Sequence, residues 1–263
     1  EHNVGRWAGV GVEVRAAGEG ELAGGEEGSG DMASPGTILL GVRRAVAASA
    51  RGALAGKRVV VAAGGTGERI DAVRFIGNRS SGKMGRALAD EAYLRGATVT
   101  LVTTQPPTGA AYDGGSVESA AEMAAAVGDA VRSADVLVMA AAVADFRPAV
   151  DERGKIERGE RETLTLELVR TVDILASAAR PGLYRVGFAA EAGPRLDRAR
   201  AKKAAKGIDL LVFNDILAEG VGIGSDENEI TMLTAEGEVH VPRTSKAACA
   251  HAVADQIEKG LAG

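Results

Sequence analysis

Arg74, Asn78 and Lys83 lie within one stretch, GGTGERIDAVRFIGNRSSGKMG, running from Gly64 to Gly85. A guanidinium, a carboxamide and an ammonium at this spacing can hold charge or orient an oxyanion. Gly64, Gly65, Ser80, Ser81 and Gly82 stand among them and offer the backbone N–H groups and hydroxyls that cradle phosphate. The stretch follows the apolar run Val59, Val60, Val61, Ala62, Ala63 and precedes an amphipathic one. It therefore reads as strand, glycine-rich connection and helix, with a positive helix end facing the connection. A phosphate-bearing substrate is the first expectation.

Two familiar phosphate motifs nearly fit. GNRSSGKM from Gly77 matches G-x-x-x-x-G-K, but Met84 stands where a P-loop needs Ser or Thr for Mg²⁺. Gly77 also lies too far beyond the strand. GGTG at Gly64 to Gly67 looks like a dinucleotide turn, yet G-x-G-x-x-G is absent. A tight turn needing positive φ explains the same glycines.

Further candidates fall after later apolar runs. Asp145 sits in AAAVADFRP, Phe188 ends RVGF with Glu191 just beyond, and Asn214-Asp215 ends LLVF. Taken singly, each polar residue fits a turn or a cap; their shared placement at strand ends is what suggests a site. Arg195, Arg198, Arg200, Lys202, Lys203 and Lys206 crowd one helix of an acidic protein. Lys202 and Lys206, one turn apart, can clamp a polyphosphate, although a solvated basic face is the plain alternative. Lys155 lies in DERGKIERGE, a polar loop expected to be mobile and able to close as a lid.

Other chemistries find no support. His2, His240 and His251 are scattered, no G-x-S-x-G elbow occurs, and the single cysteine, Cys249, reads as a buried filler. No metal site is expected from the protein alone; Mg²⁺ is expected to arrive with a nucleotide, near Asp145. The net charge of −5 argues against nucleic-acid binding, and no apolar run approaches the ~20 residues that span a membrane. With one cysteine and no secretory signal, a reducing cytoplasm is the expected compartment.

Elements that alternate must position these groups. The hydrophobic fraction is 46% with only 3% aromatics, the usage of a parallel sheet covered on both faces. Strands are predicted at 59–63, 98–102, 136–142, 164–168, 185–189 and 210–213, and helices at 83–95, 120–133, 172–179, 196–206 and 246–257. A hairpin over 229–241 turns at Ala235-Glu236-Gly237. This predicts an α/β fold with a doubly wound, mostly parallel sheet and a small antiparallel appendage. Ligands then belong beyond the carboxyl ends of the strands. Residues 1–36 include GEGELAGGEEGSG, with six glycines and four glutamates, too little apolar surface to order itself. Within it, 5–14 allows a short helix and strand at most. A linker helix is expected within 37–56 and the main domain over 57–263. Glu1 is not methionine, so the sequence is expected to begin inside a longer gene product.

GGTGERIDAVRFIGNRSSGKMG, AAAVADFRP, the KI at Lys155, VDILA, VGFAAE, ARAKKAAKGIDLLVFND and GSDENEI occur in an order that resembles phosphopantothenoylcysteine synthetase, over roughly residues 57 to 260. That family commonly forms one half of a bifunctional coenzyme A biosynthesis protein. The resemblance implies a Rossmann-like fold, a homodimer with its active site completed across the interface, and a two-step ligation. CTP, with Mg²⁺, activates the carboxylate of 4′-phosphopantothenate as an acyl-cytidylate and releases pyrophosphate; the amine of cysteine then displaces CMP. It further implies that Lys155, Lys202 and Lys206 meet the triphosphate. Asp145, Ala140, Ala141, Ala142, Val172, Asp173, Ile174, Leu175 and Phe188 would line the nucleotide pocket. Asn78 would handle the acyl-cytidylate, and Arg74 would serve the phosphopantothenate side.

Departures from the family pattern are Ala62, where threonine is common, and Val172, where proline is. The segment GELAGGEEGSGDMASP resembles the clamp of a flavin-dependent decarboxylase, with Gly24 replacing its cysteine and Asp31 its arginine. No FMN and no decarboxylase activity are expected in this chain, and a decarboxylase domain or subunit is an expected partner. Two rival readings remain: a nicotinamide-dependent reductase, for which Thr103-Thr104-Gln105 supplies no ribose selector, and a non-catalytic partner of a decarboxylase.

Overall fold

The computed structural model describes residues 18–21, 27–47, 52–105, 111–150, 152, 154–159, 162–193, 195–218 and 220–263. The short elements anticipated over 5–14 lie outside these.

Val59 to Ala63 are all buried, because the strand they form, β3 (Arg58–Ala63), is covered on both faces. Alternation divides its side chains. Val59, Val61 and Ala63 enter one core with Leu88, Leu101, Val138 and Val253, whereas Val60 and Ala62 enter another with Met123, Val127, Leu137 and Leu211. Helices α2 (Lys83–Leu94) and α6 (Lys246–Ala262) cover the first face. Helices α3 (Ala120–Val131), α4 (Ile174–Ser177) and α5 (Leu196–Lys206) cover the second. Each buried Val or Leu contributes about 1.5–3 kcal/mol.

The remaining strands of this sheet are β6 (Thr98–Thr103), β7 (Asp113–Ser116), β8 (Val136–Met139), β11 (Tyr184–Glu191), β12 (Leu210–Asp215), β13 (Glu227–Leu233) and β14 (Glu238–Ser245). Their order is β14-β13-β12-β11-β8-β3-β6-β7. From β12 to β7 all pairs are parallel; β13 and β14 run antiparallel. The anticipated antiparallel hairpin thus extends the edge of the main sheet rather than standing apart. The fold is α/β, Rossmann-like and mostly parallel.

Among the described residues, three two-stranded pairs lie outside it. β4 (Gly67–Arg69) pairs with β5 (Phe75–Gly77), so the glycine-rich connection holds a hairpin that its sequence did not announce. β9 (Phe146–Pro148) pairs with β10 (Leu168–Arg170), the latter a few residues beyond the strand expected at 164–168. Within the stretch expected to lack order, β1 (Gly18–Glu21) pairs with β2 (Glu27–Asp31). That ladder is made of main-chain bonds, which composition does not reveal.

Helix α1 (Pro35–Ala47) begins two residues before the linker helix expected within 37–56 and packs on α2, with Arg44 donating to the carbonyls of Tyr93 and Ala97 at 2.9 and 3.0 Å. The start and end of the main domain meet. Leu54 N–H donates to Glu258 Oε1 at 3.0 Å, and Arg95 pairs with Glu91, Asp255 and Glu258 at 2.8, 2.7 and 2.6 Å.

Candidate functional site

The strand order reverses at β3 and β8, since β6 and β7 lie to one side of β3 and β8, β11 and β12 to the other. A reversal of this kind opens a crevice beyond the carboxyl ends of the two strands. Here the chain leaving each strand stays bonded to the other. Ala140 N–H donates to Ala62 O at 3.0 Å, Ala142 N–H to Gly64 O at 2.7 Å, and Thr66 N–H to Ala142 O at 3.3 Å. Ala140, Ala141 and Ala142 therefore form a fixed strap whose small side chains leave the space above it open. Gly64 (φ +87°) turns the chain where a Cβ would meet Thr104 Oγ1, and Gly65 permits Asn78 to cross where a Cβ would strike its carbonyl oxygen.

Two threonines lock the strap further on. Thr66, 1% exposed, accepts from Ala144 N–H at 2.9 Å. Thr171 Oγ1 donates to Ala144 O at 2.6 Å, and its own N–H donates to Asp145 O at 3.0 Å. Asn78 Nδ2 donates to Val143 O at 2.9 Å from the other side. Asp145 is thereby presented from a backbone held by three neighbours.

Above the strap lies a two-lobed cavity. The first lobe, about 490 Å³, is lined by Val172, Asp173, Ile174, Leu175 and Lys206. The second, about 310 Å³, is lined by Asn78, Ser80, Ser81, Gly82, Ala140 and Ala142. Ala141, Val143, Asp145, Phe188 and Lys202 belong to both and form the partition.

Charge is organised differently in each. Asp173 caps α4 by accepting from Ala176 N–H at 3.1 Å, and Lys206 Nζ stands 2.8 Å from its Oδ2. Burial would raise the Asp173 carboxyl, but the hydrogen bonds from Lys206 and Ala176, with the charge of Lys202, hold it below the usual range. In the second lobe Lys83 Nζ meets Asp226 Oδ1 at 2.6 Å and Gly224 O at 2.9 Å, which lowers the Asp226 carboxyl. Lys246 Nζ donates to the carbonyls of Ser225 and Glu227; burial and the charge of Lys83 push its ammonium down.

Gly64, Gly65, Arg74 and Lys155 line neither lobe, and neither do the strand-end candidates Glu191 and Asp215. Gly64 and Gly65 serve the backbone crossing, and Gly65 faces a separate cavity of about 470 Å³. Arg74 bonds instead to Asp71 (3.4 Å) and to Ile156 O (2.8 Å). Asp71 is buried, and the N–H groups of Val73, Arg74 and Ile156 keep its carboxyl low despite that burial. Lys155, exposed, rides on this same anchored turn, where Ala72 N–H also donates to Gly154 O at 3.4 Å. Thr66, Thr171, Asp226 and Lys246 were not foreseen. Asp226 and Lys246 lie at opposite ends of the β13–β14 hairpin and meet because Glu227 pairs with Ser245.

Among the described residues no helix is long and apolar enough to cross a membrane, and no three His, Cys, Asp or Glu side chains gather as metal ligands.

Comparison with known proteins follows the same outline. Residues 54–261 match the model of the DNA/pantothenate metabolism flavoprotein C-terminal domain. The coenzyme A biosynthesis bifunctional protein CoaBC of Vibrio cholerae serotype O1 is 40% identical over 250 residues, covering 92% of this chain and 61% of that protein. CoaBC of Mycobacterium tuberculosis (strain H37Rv) is 45% identical over 228 residues, covering 80% and 54%. This chain thus spans less than two thirds of either relative. The crystal structure of the C-terminal domain of a CoaBC protein superimposes with a TM-score of 0.67 at 35% identity, covering 80% of this chain and 98% of that one. The chain belongs to the DNA/pantothenate metabolism flavoprotein C-terminal domain family.

Proposed function

We propose that this chain is a CTP-dependent phosphopantothenate–cysteine ligase of coenzyme A biosynthesis. The observation that carries the reading is the two-lobed cavity over the β3–β8 reversal, with its own cations in each lobe and Asp145 and Phe188 on the shared wall. Two lobes suit a reaction that joins a nucleotide to a second anionic substrate before an amine arrives. The names borne by its CoaBC relatives agree with it.

In the first half-reaction the carboxylate oxygen of 4′-phosphopantothenate attacks the α-phosphorus of CTP; a C(O)–O–P bond forms and the bond to pyrophosphate breaks. Negative charges converge, so positioned cations and donors lower the barrier. Lys202 and Lys206 meet the triphosphate, and Phe188, Ile174 and Leu175 give the first lobe an apolar wall for the base. Lys206 exchanges Asp173 for phosphate as it does so. In the second half-reaction the cysteine nitrogen attacks the acyl carbon, CMP departs, and the amine loses its proton. Asn78, braced on Val143, orients the acyl-cytidylate. Asp145, the carboxylate at the partition, would face a magnesium ion that arrives with the nucleotide. Such an ion would neutralise charge on the triphosphate.

A homodimer completes the reading. Arg74 lies outside its own lobes beside the exposed apolar residues Val73 and Phe75 on one hairpin; Phe146, Val150 and Leu168 are exposed on the adjoining one. A second copy covering this patch would bring Arg74 and Lys155 to the partner's cavity. The reductase alternative loses its footing, because Gly64 and Gly65 are spent on backbone crossings away from the lobes.

Pyrophosphate release with 4′-phosphopantothenate and Mg²⁺, comparing CTP with ATP and each with and without cysteine, tests the proposal. CTP-dependent release, with phosphopantothenoylcysteine formed only when cysteine is present, is expected. No turnover with either nucleotide would refute it.

A further inference from the structure

We propose that Asp215 is a positioning residue for both lobes: one carboxylate oxygen fastens the entry of the lysine-bearing helix α5 to the loop that walls the second lobe. The proposal rests on the ligase reading above and adds to it a residue that lines neither lobe.

Alternation at the end of β12 sets the arrangement. Asn214 and Ile216 line the second lobe, and Asp215 between them lines neither. Its Oδ1 accepts from two main chains instead, from Leu217 N–H at 2.9 Å and from Gly193 N–H at 2.8 Å. A carboxylate that bonds the residue two positions on makes a common local turn. The bond from Gly193 comes from a separate loop, 22 positions upstream, and turns the carboxylate into a cross-link. Ile216 N–H, donating to Glu191 O at 2.9 Å, runs beside it.

The Gly193 arm holds α5. Ala199 is the buried residue of that helix, Leu196 packs in part, and the N-cap Arg195 makes no side-chain cap bond. A helix that buries so little takes its position from its ends. The C-terminal end is secured by Arg185, which donates to Gly207 O at 2.6 Å and to Lys206 O at 3.4 Å. At the other end Arg195 N–H donates to Gly193 O at 2.8 Å, and Arg198 and Ala199 donate in turn to Arg195 O at 3.1 and 3.3 Å. Bonds therefore run from Asp215 to the first turn of the helix that carries Lys202 and Lys206 into the cavity.

The Leu217 arm holds the wall. The Leu217 side chain is 72% exposed, so burial does not fix this segment. The loop it opens supplies Ile216, Gly222, Ile223 and Gly224 to the second lobe, and is shaped further on by buried Val221 and by Ser225 Oγ donating to Gly220 O at 2.9 Å. One oxygen thus sets the spacing between the nucleotide's cations and the wall facing the second substrate, the spacing that attack across the partition needs.

Steady-state pyrophosphate release, measured against CTP and against 4′-phosphopantothenate, tests this, with urea midpoints to show that each variant is folded. Asp215→Ala removes both bonds, and the KM for each substrate should rise about five-fold or more. Asp215→Asn keeps an oxygen able to accept both N–H groups and should stay within about three-fold of wild type. Asp215→Ser keeps a hydroxyl for Leu217 that is too short for Gly193, so the KM for CTP should rise while that for 4′-phosphopantothenate stays within about two-fold. A folded alanine variant with both KM values unchanged makes Asp215 merely structural and overturns the proposal. So does a serine variant with an unaltered KM for CTP, a result that decides the matter even if alanine prevents folding. An asparagine variant that loses kcat at unchanged KM makes Asp215 a proton carrier and overturns it as well. Each of these leaves the ligase intact, whereas a wild-type protein that releases no pyrophosphate with CTP removes the ligase reading and this role together.

Discussion

Thr66→Val is the sharpest probe of how the site is built. Thr66 is 1% exposed and Ala144 is 4% exposed, so the 2.9 Å bond from Ala144 N–H to Thr66 Oγ1 is closed to water. Valine keeps the volume and the β-branched shape, so no cavity opens. What it removes is the acceptor, leaving a buried N–H unpaired at a cost of about 1–3 kcal/mol. For a chain of this size each kcal/mol moves Tm by roughly 2–4 °C, giving a fall of about 2–12 °C. Urea unfolding should show a lower midpoint with an unchanged slope, since the exposed surface is the same. Thr66→Ser keeps the oxygen and loses one methyl group, costing about 1 kcal/mol. Because Ala144 also fixes the backbone presenting Asp145, the KM for CTP should rise in the valine variant more than in the serine one. If Thr66→Val melts within about 1 °C of wild type with its CTP KM unaltered, the hydroxyl does not hold the strap and the account of the site's floor is wrong.

Mixed dimers of Arg74→Ala and Asn78→Ala, each nearly inactive alone, should recover about a quarter of wild-type ligase activity after random exchange, since one site in each heterodimer is intact. No recovery in confirmed heterodimers would place Arg74 in its own protomer's site. Lys206→Met should raise the KM for CTP about ten-fold, a charged hydrogen bond's worth, and an unchanged value would remove Lys206 from the triphosphate. Asp173 has a folded pKa below its unfolded value of about 3.9, so its stabilisation is present above that value and lost as pH falls through the folded one. The stability gap between wild type and Asp173→Asn should therefore be constant near neutrality and shrink in acid, as read by urea midpoints across pH; a gap that widens in acid contradicts the assignment. Arg95→Met should cost about 2–4 kcal/mol in the same assay, because Arg95 is only 13% exposed and its loss takes the guanidinium from Glu91 and Glu258, themselves 14% and 19% exposed. A loss under about 0.5 kcal/mol would show the cluster to be dispensable.

Much of this could be read from residue order. The run Val59 to Ala63, the Gly96 stop after α2 and the apolar segments at Val136 and Leu210 each specify their element locally, and together they place the crevice. Ala140 to Ala142, Asp145, Phe188, Lys202 and Lys206 fall on it for the same reason. Arg74 and Lys155 show where local reading ends. Both are set by the Asp71 turn, whose carboxylate gathers N–H groups from residues 73, 74 and 156, a contact across more than eighty positions. Thr66, buried, and Thr171, half-buried, were invisible because a threonine that bonds a loop's backbone looks like any other threonine. The β4–β5 hairpin was hidden by glycines that suggested a bare loop.

The bond between Leu54 and Glu258 has an architectural consequence. The entrance and the exit of the domain are neighbours on the α2–α6 face, while the cavity opens beyond the strand ends. A domain whose two ends share one doorway behaves as a pendant module: another domain can be attached there without threading past the sheet or crowding the catalytic mouth. The same proximity makes it suited to circular permutation, since a short tether between residues 261 and 54 would close the chain and new ends could be cut at an exposed turn such as Glu236-Gly237.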